Sequence, residues 1–437
     1  MTDLLYWLQG AVPETPAPKV EMPPWGETKV VGKPVPRVDA YERVSGSAVY
    51  PLDFALPDML HAAILRSPHA HAVVKAVDTS AAEKMPGVRA VITGKTPGTD
   101  IPWYRSRGKS YSKLFDDRVR HEGDEVAAVA AETRAQAYDA LKAIRVTYEE
   151  LPFVLDPQKA LEAGAPAIHE GTNRYGDPSK YERGDVAAGF AAADAVVEGT
   201  YSTACEIHAP MEVHGSVVKW DGNRLTVWDT TQGVFVVQQQ VAAALKLPLA
   251  NVRVIGHYMG GGFGSKLEAG KYTVIAALLA KMTARPVKLV LTREESVRMH
   301  PKRHPIRLDY TVGCDAEGRL TAVVARLLGD SGAYASVGGK VLERAAGHAC
   351  GPYRVPAVDV EALAAYTNNP PCGAMRGFGV PQAAFAIEGC LDLLAAKVGL
   401  DGWEIRRRNA VGVGDAVTTG QVLEKSVGLV KTLEAVK

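Results

Sequence analysis

The sequence predicts a mixed α/β protein (α+β class) built from two α/β units in series. Strand-like and helix-like stretches alternate along most of the chain, and apolar residues recur at helical spacing in the longer ones. With 437 residues, 47% of them hydrophobic, the chain can also fill more than one core. Residues 1–28 stand apart, because Pro13, Pro16, Pro18, Pro23 and Pro24 interrupt any periodicity; an extended tail or docking arm is expected there. The first unit, residues 29–157, should contain strands at Met59–Leu65, Val88–Thr93 and Glu125–Ala130, a short amphipathic helix at Ala135–Ile144, and a strand at Arg145–Tyr148. Residues 158–195, rich in Ala, Gly and Asp, read as a linker with small helical pieces.

The second unit, residues 196–437, is the larger. Strands are expected at Leu225–Trp228 and Val252–Ile255, flanking a helix over Val234–Leu245 whose Val237, Val241 and Leu245 share a face. Tyr272, Ile275, Leu279 and Met282 make another helical stripe, and Lys288–Thr292, Arg307–Gly313 and Leu320–Leu328 read as strands. A long helix over Pro381–Val398 turns Ile387, Leu391, Leu394 and Val398 inward and stops at Gly399.

Charge and composition exclude several functions. With 50 Lys+Arg against 49 Asp+Glu, the net charge of +1 gives no field to gather nucleic acid or an anionic membrane. No apolar run approaches the ~20 residues of a spanning helix. The apolar stretch Leu4–Leu8 lacks the basic and small-residue flanks of an export signal, so a cytoplasmic location is expected. The five cysteines are scattered with no C-x-x-C pair, so neither an iron–sulfur cluster nor a zinc site is expected on this chain.

Three segments could carry chemistry. Met259-Gly-Gly-Gly-Phe-Gly-Ser-Lys266 lets backbone approach a ligand closely, and placed between a strand and a helix it would add helix-end amides for an oxyanion. It fits neither the Walker nor the dinucleotide pattern, and a plain tight turn reads equally well. In Pro370-Pro-Cys-Gly-Ala-Met-Arg-Gly-Phe-Gly-Val-Pro-Gln382, one guanidinium and one ring stand between glycines, suiting a flat polar ligand or simply a helix-leading loop with Arg376 in an ion pair. Thr230-Thr-Gln-Gly233 follows a strand and offers a neutral amide donor, or only a helix cap. His69-Ala-His71 has no completing metal ligand, Arg303-His-Pro305 reads as a helix end, and Asp116-Asp117 and Glu149-Glu150 as solvated charge.

In order along the chain, Ser67-Pro-His-Ala-His71, Thr231-Gln232, Gly260-Gly-Gly-Phe-Gly264, Arg303-His-Pro305, Glu343-Arg344 and Arg376-Gly-Phe-Gly379 resemble the molybdenum-binding large subunit of the xanthine dehydrogenase/aldehyde oxidase family, the molybdenum hydroxylases. The resemblance runs from about Val30 to the last residue and implies an α/β hammerhead domain followed by the first half of a molybdopterin-binding region. It also implies molybdopterin with molybdenum, in the cytosine dinucleotide form, held by Gln232, Gly261, Gly262, Phe263, Gly264, Ala374, Met375 and Arg376. No side chain would ligate the metal directly; Gln232 and Arg376 would stand beside it. Gln232, Arg344, Arg376 and Phe378 would be the catalytic set, with Phe378 facing a planar substrate and Arg344 orienting it.

The implied reaction is hydroxylation, with water, of an electron-poor carbon in a heteroaromatic or an aldehyde. Purine oxidisers carry a glutamate where this chain has Leu267; Glu268 is next door but would point elsewhere. No cysteine stands beside Arg376 as in the copper-bridged carbon monoxide dehydrogenases. A guanidinium facing no carboxylate leads us to expect an anionic, nicotinate-like substrate. The family's C-terminal Gly-x-Gly-Glu segment, which holds its catalytic glutamate, is absent. A split enzyme is therefore expected, with that glutamate on a second molybdopterin subunit and iron–sulfur and FAD groups on further partners. The rival readings are an inert scaffold of the same fold, a fragment of a longer single-chain subunit, and an unrelated phosphate- or nucleotide-binding module using Gly260–Lys266.

Overall fold

The computed structural model describes residues 24, 26–106 and 109–437. The tail expected over residues 1–28 lies almost wholly outside them. Two sheets dominate. The larger has seven strands in the order Val252–Ile255, Arg224–Asp229, Gly215–Asp221, Val287–Val290, Leu60–Arg66, Glu125–Ala131 and Val88–Thr93. It joins the two units: Leu60, His61 and Ala62 pair in parallel with Val287, Lys288 and Leu289. The five-stranded sheet runs Ala195–Ser202, Ile306–Cys314, Leu320–Asp330, Ala357–Ala365 and Arg174–Arg183. A three-stranded sheet (Arg118–Val119, Ala72–Asp78, Arg145–Glu150) and the hairpin Pro102–Ser106 with Lys109–Lys113 complete the strands among the described residues.

Each large sheet buries a helix whose sequence is apolar on most sides. Lys271–Thr283 is almost wholly buried against the seven-stranded sheet, with Val274, Ile275 and Leu279 fully enclosed. Met282, the last residue of its expected stripe, is instead exposed, because the helix ends one residue later at Thr283. On the five-stranded sheet, Val380–Val398 encloses Ile387, Leu391 and Leu394 and stops at Gly399, which takes the left-handed conformation at φ 70°. Beside it lies Gly338–Gly347, a helix that the sequence pattern does not reveal. Val234–Leu245 forms where expected, with Val237 and Val241 fully buried.

Three sequence readings change. Residues 158–195 do hold the short helices Pro157–Ala160 and Val186–Ala191, but they also supply the edge strand Arg174–Arg183. That strand is half exposed and strongly polar, so it carries no apolar alternation to announce it. Arg303-His-Pro305 ends no helix: the preceding helix stops at Met299, capped through the Thr292–Glu295 capping box at its start, and Arg303 lies in a loop before the strand Ile306–Cys314. Asp116 is no solvated charge, since it is largely buried in an ion pair with Arg120 at 3.1 Å.

Candidate functional site

The three loops singled out in the sequence meet at one place. The strand Arg224–Asp229 hands over to Thr230–Gly233, which leads into the helix Val234–Leu245. There the Gln232 backbone amide donates to the Lys266 carbonyl at 2.8 Å. Its side-chain Oε1 accepts from the amides of Gly264 at 2.8 Å and Lys266 at 3.3 Å. A Cβ on Gly262 would strike that side chain at 2.5 Å, so only glycine lets the amide lie flat on the loop.

The glycine loop then packs on the second loop backbone to backbone. The Arg376 amide donates to the Phe263 carbonyl at 3.0 Å. A Cβ on Gly264 would sit 2.4 Å from the Ala374 carbonyl oxygen. The two loops share a conformation as well: Phe263 and Phe378 both lie at φ 53°, followed by Gly264 at φ 110° and Gly379 at φ 96°. A left-handed phenylalanine is strained, and two in matching Gly-Phe-Gly turns mark positions where the ring's direction matters more than local comfort. Phe263 remains 47% exposed.

The helix-end reading of the glycine loop does not hold, because the next helix starts only at Lys271, five residues beyond Lys266. The loop's own backbone supplies the donors instead. The amides of Gly261, Gly262 and Phe263 find no acceptor among the described residues, and Gly261 takes a left-handed φ of 95°, which leaves donors for an anionic or oxo group. This fits a cofactor that is gripped by main chain.

Behind the loops lies a buried polar scaffold in which only Lys266 and Arg303 belong to segments the sequence singles out. Lys266 is 1% exposed and donates to the Glu212 carboxylate at 3.0 Å and to the Glu212 carbonyl at 2.9 Å. Burial pushes its ammonium below the ordinary value against the pull of Glu212. Glu212 in turn accepts from the Gly260 amide at 3.0 Å. His208 Nε2 donates to the Ala374 carbonyl at 2.7 Å, and burial keeps this ring below its ordinary pKa and neutral. Arg303 pairs with Glu206 at 2.8 Å and donates to the Arg376 carbonyl at 2.9 Å. His208 and Glu212 sit in an irregular segment with no period, so only their chemistry marks them.

Arg376 itself is exposed. Arg344 lies on Gly338–Gly347, the helix against which Gly379 packs; a Cβ on Gly379 would meet the Val341 carbonyl at 2.3 Å and the Ala345 amide at 3.0 Å. Arg344 is exposed and its guanidinium has no ion pair among the described residues, since Glu343 pairs with Lys340 at 3.0 Å. Phe378 packs against the core of the five-stranded sheet. From the contact of the loops a cavity of about 520 Å³ extends, lined by Gly264, Ser265, Leu267, Glu268, Ala374 and the rings of Trp103, Tyr104 and Tyr272 among others. Gln232, Phe263, Arg344, Arg376 and Phe378 stand outside that lining.

The chain is similar to known proteins. The molybdopterin cofactor-binding domain matches residues 168–410, and the aldehyde oxidase and xanthine dehydrogenase a/b hammerhead domain matches residues 45–152. The chain is 44% identical over 410 residues to the nicotinate dehydrogenase large molybdopterin subunit of Eubacterium barkeri, covering 93% of this chain and 95% of that one. It is 35% identical over 411 residues to the xanthine dehydrogenase molybdenum-binding subunit of Escherichia coli O157:H7, covering 91% of this chain and 54% of that one. The crystal structure of quinoline 2-oxidoreductase from Pseudomonas putida 86 matches with a TM-score of 0.85 at 31% identity, over 92% of this chain and 53% of that one. The chain thus spans about half the length of the latter two.

Proposed function

From the premise that the chain belongs to the aldehyde oxidase and xanthine dehydrogenase family, as a molybdopterin-binding subunit, we propose that it works in a multi-subunit molybdenum hydroxylase acting on an anionic heteroaromatic acid of the nicotinate type. The observation that carries this reading is the junction of Gln232, Gly262–Gly264 and Ala374–Arg376, where free amides and one neutral side-chain amide converge. Gly261, Gly262, Phe263 and Gly264 would grip the cofactor through their backbone, with Ala374, Met375 and Arg376 closing the other side and Gln232 donating from its NH2. The bound molybdopterin, in its cytosine dinucleotide form, would supply two-electron oxidation of the substrate carbon with water as the oxygen source.

This chain's residues bind and orient. Arg344, exposed and unpaired among the described residues, is free to take a substrate carboxylate in a bidentate grip. Phe378 would face the ring. The glutamate that moves the proton would come from a second molybdopterin subunit, and iron–sulfur and FAD groups from further partners, the whole working in the cytoplasm. Among the described residues no helix is long and apolar enough to cross a membrane. Purification of the chain with whatever accompanies it tests the proposal: molybdenum, a pterin and a second molybdopterin polypeptide are expected together. Full hydroxylase turnover from this polypeptide and cofactor alone would overturn the divided site.

A further inference from the structure

Two of the five cysteines meet at the foot of the second loop. Cys205 follows the strand Ala195–Ser202 and is exposed, whereas Cys372, in the loop that carries Ala374–Arg376, is 2% exposed. Backbone bonds bring both segments alongside Lys302–Arg303. Glu206 faces Arg303, whose amide donates to the Glu206 carbonyl at 3.0 Å. Cys372 faces Lys302, whose amide donates to the Pro371 carbonyl at 3.1 Å and whose carbonyl accepts from the Gly373 amide at 2.8 Å. The two thiols hydrogen-bond each other there, and Cys372 Sγ lies 3.8 Å from the Arg303 carbonyl oxygen. Beside them stands Lys302, 7% exposed, whose ammonium donates to the Arg298 carbonyl at 2.7 Å and the His300 carbonyl at 3.2 Å. It pairs with no carboxylate among the described residues. The nearby acids are engaged elsewhere: Glu206 pairs with Arg303, and Asp330 accepts from Gly332, Thr367 and Asn369.

We propose that Cys205 and Cys372 form a modification site, an exposed attacking thiol and a buried resolving one that close to a disulfide on meeting a low-molecular-weight disulfide of the glutathione type. The Cys205 thiolate attacks one sulfur of the oxidant, whose S–S bond breaks and releases one thiolate. The Cys372 sulfur then displaces the second thiolate from Cys205. Both cysteine protons end on the released thiolates, so the protein loses two electrons and two protons while the oxidant becomes two thiols. The titration of the pair supports this division of roles. The hydrogen bond from Cys372 and the charge of Lys302 hold the Cys205 thiol below its ordinary value against burial, whereas the same contact and burial push Cys372 well up. A disulfide keeps its two Cα atoms within about 7 Å. Once closed, it therefore fixes the loop carrying Ala374–Arg376 to the segment after Ala195–Ser202. It does so next to Arg303, which pairs with Glu206 and donates to the Arg376 carbonyl at 2.9 Å.

Excess oxidised glutathione added to the complete complex, followed by alkylation of the remaining thiols and peptide mapping without reduction, tests this. Expected are the loss of two alkylatable thiols, a peptide linking Cys205 to Cys372, and full reversal by dithiothreitol. Cys372→Ala should instead hold a stable glutathione on Cys205, and Cys205→Ala should gain neither adduct nor link. The wild-type map decides by itself where a variant fails to assemble. Unmodified Cys205 and Cys372, a glutathione that persists on wild-type Cys205, or a link to another cysteine would overturn the proposal. Turnover should fall about tenfold or more as the link forms, because small displacements beside a reacting centre are costly, and should return with dithiothreitol. In Cys205→Ala it should not respond to the oxidant. A complete link with unchanged turnover would overturn the effect on the loop. That last measure rests on the function proposed above, whereas the mapping needs no substrate; a complex that turns nothing over counts against the proposed reaction and not against the thiol pair.

Discussion

The side-chain carbonyl of Gln232 is spent on the Gly264 and Lys266 amides, which leaves its NH2 for a ligand. Substitution can separate these two tasks. Gln232→Glu keeps the acceptor and removes the donor, so molybdenum content should persist while kcat falls by roughly 10²–10³. Gln232→Ala also releases both loop amides and should lower the molybdenum content. Metal analysis beside turnover distinguishes them, and a Gln232→Glu enzyme as fast as wild type would remove Gln232 from the chemistry. Arg344→Met should leave thermal stability unchanged, since no described partner is orphaned, and should raise KM for a carboxylate substrate ~10–100-fold, the value of about 1.5–3 kcal/mol for hydrogen bonds to a charge. Asp229 offers a pH test. It is buried beneath the Gln232 turn, accepts from Ser216 at 3.0 Å and Thr273 at 3.1 Å, and burial pushes its carboxyl up from 3.8 to about 6. Because the folded value is the higher, the stability it contributes is complete below pH 3.8 and lost as pH rises through about 6. The whole loss amounts to roughly 3 kcal/mol, about half of it above pH 5, so in Asp229→Asn the unfolding free energies at pH 5 and pH 8 should differ by about 1–1.5 kcal/mol less than in wild type.

Among elements, the glycine loop is the one whose shape is least negotiable. Gly264→Ala would place a methyl 2.4 Å from the Ala374 oxygen at φ 110°, so the two loops must part. The variant should lose molybdenum and about 1–3 kcal/mol of stability, measured by metal content and denaturant midpoint; a variant that loads normally would contradict the backbone grip. Such loops are legible in the sequence because glycine, phenylalanine and proline leave marks independent of tertiary contacts. The helix Val234–Leu245 is legible for another reason, its 3.6-residue apolar period. The supporting layer is not. His208, Glu212 and Lys266 are polar groups buried by partners distant in sequence, and no local pattern encodes such pairings. Glu268, expected to point away from Leu267, lines the same cavity: neighbours on an extended strand face opposite ways, but this pair sits in a loop, where that alternation does not apply.

Across the whole molecule, the junction of Leu60–Ala62 with Val287–Leu289 decides how the parts behave together. Neither segment announces the other, since parallel pairing between distant strands leaves no trace in local periodicity, and the sequence accordingly reads as two units in series. With the strands zipped into one sheet, the full chain should unfold in a single calorimetric transition. Two resolved transitions would show that the halves hold independently. A further consequence concerns ancestry and engineering. Modules joined by a flexible tether can be traded between proteins, because nothing but the tether must match. Here a transplanted first half would need to arrive with the same pleat, twist and side-chain relief along one strand, or leave Val287–Val290 with a raw edge. New specificities in this lineage are therefore more readily acquired by redrawing the surface loops than by exchanging one half for another.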